Sequence, residues 1–255
     1  MAKDYKGRTI QVQESKKPVF NRTNDAVSWA WWTWNPVTGC LHGCGYCYAR
    51  DIAAKFKRHY PAGFTPVFRE ERLSAPKNMK KPDSVEPESG RVFVCSMGDL
   101  FGSWVPHSWI EAVFETISQS PDWEFLLLTK NPERYHEVEL PGNVWAGATA
   151  DTQERSDRAV EALRGLQGPR VRWISYEPLF EGIRADFSDL DWVVVGAQSG
   201  VQGAPGFAPA FTWVSYLVDQ ARRDGCPVYL KPNLLGRTSG QWPGMALPKE
   251  MPKEV

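Results

Sequence analysis

Seven short apolar runs, at residues 31–34, 92–96, 125–129, 144–148, 171–175, 192–195 and 228–230, limit what this chain can fold into more than any other feature. Each is nearly continuous in apolar residues rather than alternating, as strands of a parallel sheet are when both faces are buried. Amphipathic stretches separate several of them. Ser108-x-x-Glu111 reads as a capping box opening a helix with Trp109, Ile110, Val113, Phe114 and Ile117 on one face. Asp151 reads as the cap of a second helix, carrying Val160, Leu163 and Leu166. Phe211, Val214, Leu217, Val218 and Ala221 mark a third, closed by Gly225. Strands alternating with helices imply a parallel sheet with right-handed crossovers. Six or seven repeats in 255 residues predict an α/β fold, a partial (β/α) barrel stopping short of eight strands. A flat doubly wound sheet has the same signature, because closure leaves no mark in a sequence.

The rest of the chain divides around this pattern. Residues 1–25 are polar and aperiodic and read as an arm; 26–236 hold the barrel domain; 237–255 read as a loop-like tail. A proline-rich insertion near 61–90 is a long surface excursion. Lys and Arg number 30, against 30 Asp and Glu, so the molecule has no overall basic field for a polyanion. Nucleic-acid binding would need a local patch. Arg50, Lys55, Lys57 and Arg58, with Lys77, Lys80 and Lys81, read as a solvated helix face and loop. No apolar run approaches the roughly 20 residues of a membrane span, and residues 1–17 lack an apolar signal core. The expectation is a soluble, cytoplasmic protein with no membrane partner.

Three of the five cysteines lie within eight residues, as Cys40-x3-Cys44-x2-Cys47 directly after the first strand run. An odd count with this crowding argues for metal or redox chemistry over a disulfide framework. Three thiolates on one tight loop can each hold one iron of a cubane [4Fe–4S] cluster, leaving the fourth iron open to a small molecule. The competing assignment is a structural zinc site with His42 as fourth ligand, cramped by the position of His42 between Cys40 and Cys44. Cys95 and Cys226 read as small buried apolar residues.

With Tyr46 before its last cysteine, the motif resembles that of the radical S-adenosylmethionine superfamily, C-x3-C-x-aromatic-C. The stretches TWNPVTGC, CGYCYAR, VFVCSMGDLF, LLTKNPERY, WISYEPL, WVVVGAQSG and PVYLKP, spread over residues 30–235, look closest to phage and bacterial radical-SAM-like proteins named for the three-cysteine motif, a family of unassigned function. The resemblance implies a cluster on Cys40, Cys44 and Cys47, S-adenosylmethionine on its open iron, and reductive cleavage to a radical that abstracts hydrogen from a substrate. It also implies an outside reductase or other electron donor. In its phage setting it points to a nucleotide or nucleic-acid base as the substrate class. Gly98-Asp99 takes the place of the segment that holds the cofactor's amino group, although the usual two glycines and glutamate are absent. Asp99 could instead cap a turn before Phe101.

In parallel barrels function collects at the C-terminal ends of strands, and here those ends are polar. Lys130, Glu177 and Lys231 are the catalytic candidates, and Tyr46, Gly98, Asp99, Gln198 and Ser199 the cofactor-binding ones. Any of them taken singly could be a solvated side chain or a backbone cap. Met97 and most of the tryptophans read as packing.

Overall fold

The computed structural model describes residues 1–13, 17–24, 27–201, 203, 205–235 and 248–252. All seven apolar runs become strands: β4 (Trp32–Trp34), β7 (Arg91–Val94), β8 (Glu124–Leu126), β9 (Val144–Thr149), β10 (Val171–Tyr176), β11 (Trp192–Val195) and β12 (Val228–Leu230). They pair in parallel and strictly in chain order. A short antiparallel strand, β3 (Asn21–Arg22), joins the outer edge of β4 and completes an eight-stranded sheet. The fold is therefore mixed α/β around a mostly parallel sheet, which does not close into a barrel among the described residues.

Three helices fill crossovers: α2 (His107–Ser118), α3 (Gln153–Leu163) and α4 (Phe211–Arg223). A shorter one, α1 (Tyr48–Lys55), follows the cysteine loop. Their starts differ from the sequence reading. Ser108 lies inside α2, whose N-cap is Pro106 with no side-chain bond, and Glu111 instead faces His107 at 3.3 Å. Thr152, not Asp151, caps α3 by accepting from the Arg155 amide. Asp151 is thereby free for other partners.

The described residues of the N-terminal arm include strands. β1 (Ala2–Asp4) and β2 (Thr9–Ile10) form a hairpin in a second, four-stranded sheet with β5 (Val37–Thr38) and β6 (Val67–Phe68). Three 3₁₀ turns occupy the proline-rich insertion, and Phe68 within it stacks on Trp109 of α2 at 5.2 Å. Residues 237–247 and 253–255 of the tail lie outside the described residues. Residues 248–250 lay their backbone along β12, Leu230 donating to Pro248 and Glu250 to Val228, and so cover that edge.

Side chains on the two faces of the sheet go to different partners. Val92, Phe125, Val144, Ile174, Val193 and Val228 pack with the apolar faces of α2, α3 and α4. The opposite face holds Phe93, Leu126, Trp145, Trp173, Trp192, Val194 and Tyr229, with no helix residue among them. Helices on one face and sequential strand order together make a singly wound sheet, which excludes the doubly wound alternative.

The sheet also curls. Laid flat, six inter-strand steps would separate β4 from β12 by about 29 Å. Ser28, only four residues before β4, nevertheless meets Tyr229 of β12 at 2.5 Å between hydroxyls. Trp29 reaches Phe93, Trp173 and Trp192 at ring distances of 5.1, 5.5 and 6.1 Å. Four residues of extended chain span at most about 14 Å, so curvature must close the remainder. The result is a concave face floored by tryptophan. Among the described residues no helix is long and apolar enough to cross a membrane.

Trp173 is fully buried at the centre of this floor. Trp173→Ala should lower unfolding stability by about 3–5 kcal/mol, read as a shift in urea midpoint at unchanged slope. A loss under 1 kcal/mol would mean the floor is not a packed core.

Candidate functional site

Side chains along a strand alternate between faces, so the parity that sets the tryptophan floor also sets what stands above it. On β9, Trp145 and Gly147 lead to Thr149 and Asp151; on β10, Val171 and Trp173 lead to Ser175 and Glu177. On β12, Tyr229 leads to Lys231, and after β8, Leu126 and Leu128 lead to Lys130. Gln198 follows from Trp192, Val194 and Gly196 in the same way. The concave face thus changes from aromatic at its floor to hydroxyl-bearing and charged at its C-terminal rim.

The cysteine loop is laid over this rim by close backbone contacts. Gly39 has φ +88°, and a Cβ there would lie 2.2 Å from the Thr65 carbonyl oxygen. Gly98 bridges Gly39, and a Cβ on it would lie 2.9 Å from the Gly39 oxygen. Gly98 thus lets two chains touch. Cys95, at φ +56°, sits in the left-handed region that a Cβ disfavours. There it breaks the alternation of β7 and turns Ser96–Asp99 toward the loop.

Asp99 holds the arrangement. Its carboxylate is buried, 4% exposed, and accepts from the Phe101 amide (3.0 Å), the Thr129 hydroxyl (2.7 Å) and the Lys130 amide (3.1 Å). His42 Nε2, within the cysteine loop, lies 2.7 Å from its Oδ2. The turn before Phe101 is capped as the alternative reading had it, and both carboxylate oxygens are taken by the protein. His42 packs edge-on against Trp104 at 4.8 Å, and its Nε2 contact with Asp99 fixes the orientation of the ring.

Tyr46 forms a second anchor. Its phenol donates to Asp151 and accepts from Lys130 Nζ at 2.8 Å; Lys130 Nζ also reaches Asp151 at 3.0 Å, and Arg155 pairs with the other Asp151 oxygen. Burial alone would raise the Asp151 carboxyl, but the charge of Lys130 and the bonds from Tyr46 and Arg155 outweigh it and hold the group below its usual range. Burial and the Asp151 carboxylate keep the Tyr46 phenol firmly protonated.

Further round the rim, Lys231 Nζ meets Glu177 at 2.6 Å, and Asn233 donates to the other Glu177 oxygen at 3.1 Å. Gly196 makes room for this pair, since a Cβ there would lie 2.9 Å from the Glu177 carboxyl. Gln198 is buried and donates to the Pro205 carbonyl, whereas Ser199 is exposed on the loop beyond. The structure thus joins Lys130 to Tyr46 and Glu177 to Lys231, turns Gly98 and Asp99 to holding the loop, and leaves Ser199 apart. Asp151 and Asn233 are the site residues that sequence reasoning missed. Asp151 looked like a helix cap, but its strand parity with Thr149 marks it as inward-facing.

Cys40, Cys44 and Cys47 are half-buried, Cys47 at the N-cap of α1, while Cys95 and Cys226 are buried. Burial pushes the Cys40 thiol up to about 12, only partly countered by the His42 amide. Three reachable thiols on one loop fit the donor chemistry of an iron–sulfur cluster, whose binding would displace their protons. Among the described residues no three His, Cys, Asp or Glu groups converge as a ready-made metal shell. The fit is therefore one of donor type and access.

A family profile described as a protein of unknown function (DUF5131) matches residues 24–243. No curated protein matches the chain, and no solved structure does.

The four acceptor contacts of Asp99 make it a stability residue. Asp99→Asn should cost about 1–3 kcal/mol of unfolding free energy, because an amide nitrogen must then face a donor. Chemical denaturation checks this. Wild-type stability would mean that the loop does not depend on this carboxylate.

Proposed function

The chain belongs to the DUF5131 family, whose function is unknown, and from that premise we propose that it is a radical S-adenosylmethionine enzyme on a partial (β/α) barrel, acting on a nucleotide or nucleic-acid base. One observation carries the reading. The loop bearing Cys40, Cys44 and Cys47 is fastened over the same rim where strand parity gathers Lys130, Asp151, Glu177 and Lys231. These three cysteines would hold a [4Fe–4S] cluster. The chemistry supplied by such a cluster is one-electron cleavage of S-adenosylmethionine, giving a radical that abstracts hydrogen from a substrate.

The chain's own residues have separable tasks. Asp99 and His42 fix the loop, and Lys130 with Asp151 orients the Tyr46 ring beside Cys47. Trp29, Trp145, Trp173 and Trp192 seal the floor, which limits water access to a reactive radical. Glu177 and Lys231 are assigned to proton transfer with the substrate, Asn233 orienting the carboxylate. Gln198 and Ser199 flank the side on which the cofactor would lie. The reading requires an electron donor from another protein and a reducing, cytoplasmic setting.

Protein purified without oxygen should contain iron and sulfide, and after reduction should release 5′-deoxyadenosine from S-adenosylmethionine. Alanine at Cys40, Cys44 or Cys47 should abolish both, whereas alanine at Cys95 or Cys226 should leave iron content unchanged. Stoichiometric zinc without sulfide would replace this reading with a structural, non-catalytic metal site.

Glu177→Gln and Lys231→Met should keep iron and 5′-deoxyadenosine release but lower substrate turnover by about 10²–10⁴-fold, the range for removing an acid–base group. Full turnover in both would remove them from the mechanism.

A further inference from the structure

We propose that the exposed turn ending α1, residues 54–59, together with the neighbouring cysteine loop, is a docking surface for single-stranded nucleic acid. Every residue from 54 to 59 is exposed, and Lys55, Lys57, Arg58 and His59 flank Phe56 in sequence, itself 55% exposed. Most arginines of this chain are engaged by carboxylates, as Arg69, Arg91, Arg134, Arg155 and Arg172 illustrate. The side chains of Lys55, Lys57 and Arg58 have no ion pair or hydrogen bond among the described residues, so their charge is available to a partner.

The turn is rigid. The Phe56 amide donates to Ile52, and its carbonyl accepts from the His59 and Tyr60 amides at 2.9 and 3.1 Å. Apolar exposure continues toward the rim through Tyr48 (48%) and Leu41 (45%), and the Tyr48 hydroxyl is pinned to the Ser96 carbonyl at 2.7 Å. Cations beside open aromatic rings match a strand whose phosphates seek charge and whose unpaired bases seek a stacking surface. A duplex hides its base faces from Phe56. An acidic protein would need roughly 800 Å² per side for a stable interface, and this stripe is one short helix, about 12 Å, in length. The patch is local, which is why a net charge of zero does not exclude it.

Binding at this surface does not depend on a cluster; that the bound strand is the substrate rests on the function proposed above. The test is fluorescence anisotropy of a labelled, mixed-sequence 12-nucleotide DNA on the full chain over a salt series. We expect binding whose logarithm falls with log salt at a slope of about −2, from three phosphate contacts. The triple variant K55E/K57E/R58E should lose at least tenfold and flatten that slope. Phe56→Ala should lose about tenfold, within the range for one stacked base. A duplex of the same sequence should bind more weakly and ignore Phe56→Ala. Wild-type protein stripped of iron with a chelator should bind DNA like untreated protein, which separates this inference from the cluster reading. Undetectable DNA binding, or equal binding by the triple variant, would overturn it. So would duplex binding equal to single-strand binding and indifferent to Phe56, or polyglutamate binding where DNA does not bind.

Discussion

A single buried carboxylate ties the parts of this molecule that carry chemistry. Asp99 reaches the cysteine loop through His42, the end of β8 through Thr129 and Lys130, and its own turn through Phe101. Burying an unpaired charge costs several kcal/mol, so the carboxylate is stable there only while its partners stay in place. The same requirement read in reverse fixes the loop. Any displacement of His42 or Thr129 strands part of a buried negative charge, so loop and rim keep one relative position.

The fold was readable because burial on both faces leaves a plain trace in sequence. All seven apolar runs are strands, with ends shifted by up to three residues, as at 31–34 and 125–129. Helix caps were less readable. Ser108 and Asp151 have suitable chemistry, but Pro106 and Thr152 occupy the capping positions. A side chain that can cap can equally be recruited by a distant lysine, and only tertiary structure decides between them. The arm was unreadable for another reason: strands of two or three residues, such as β1 and β2, are too short to show periodicity.

At the rim, the pairs Glu177–Lys231 and Lys130–Asp151 could have been anticipated from strand parity, since each group lies an even number of residues beyond an apolar side chain on the concave face. Which lysine meets which carboxylate could not, because that depends on curvature. The pairing has an electrostatic effect. Each cation at the mouth has a fixed anion beside it, so the mouth is polar yet nearly neutral, while uncompensated positive charge is displaced to the turn after α1.

The curled sheet is pinned at its floor by the Ser28–Tyr229 contact, but among the described residues no backbone ladder joins β3 to β12. A closed barrel can widen its mouth only by breaking rows of interstrand hydrogen bonds. Among the described residues the seam here is held by side-chain contacts instead, so no row of interstrand bonds would have to break for it to part. An incomplete cylinder of this kind could be approached from its flank, whereas a sealed one is open only at its ends.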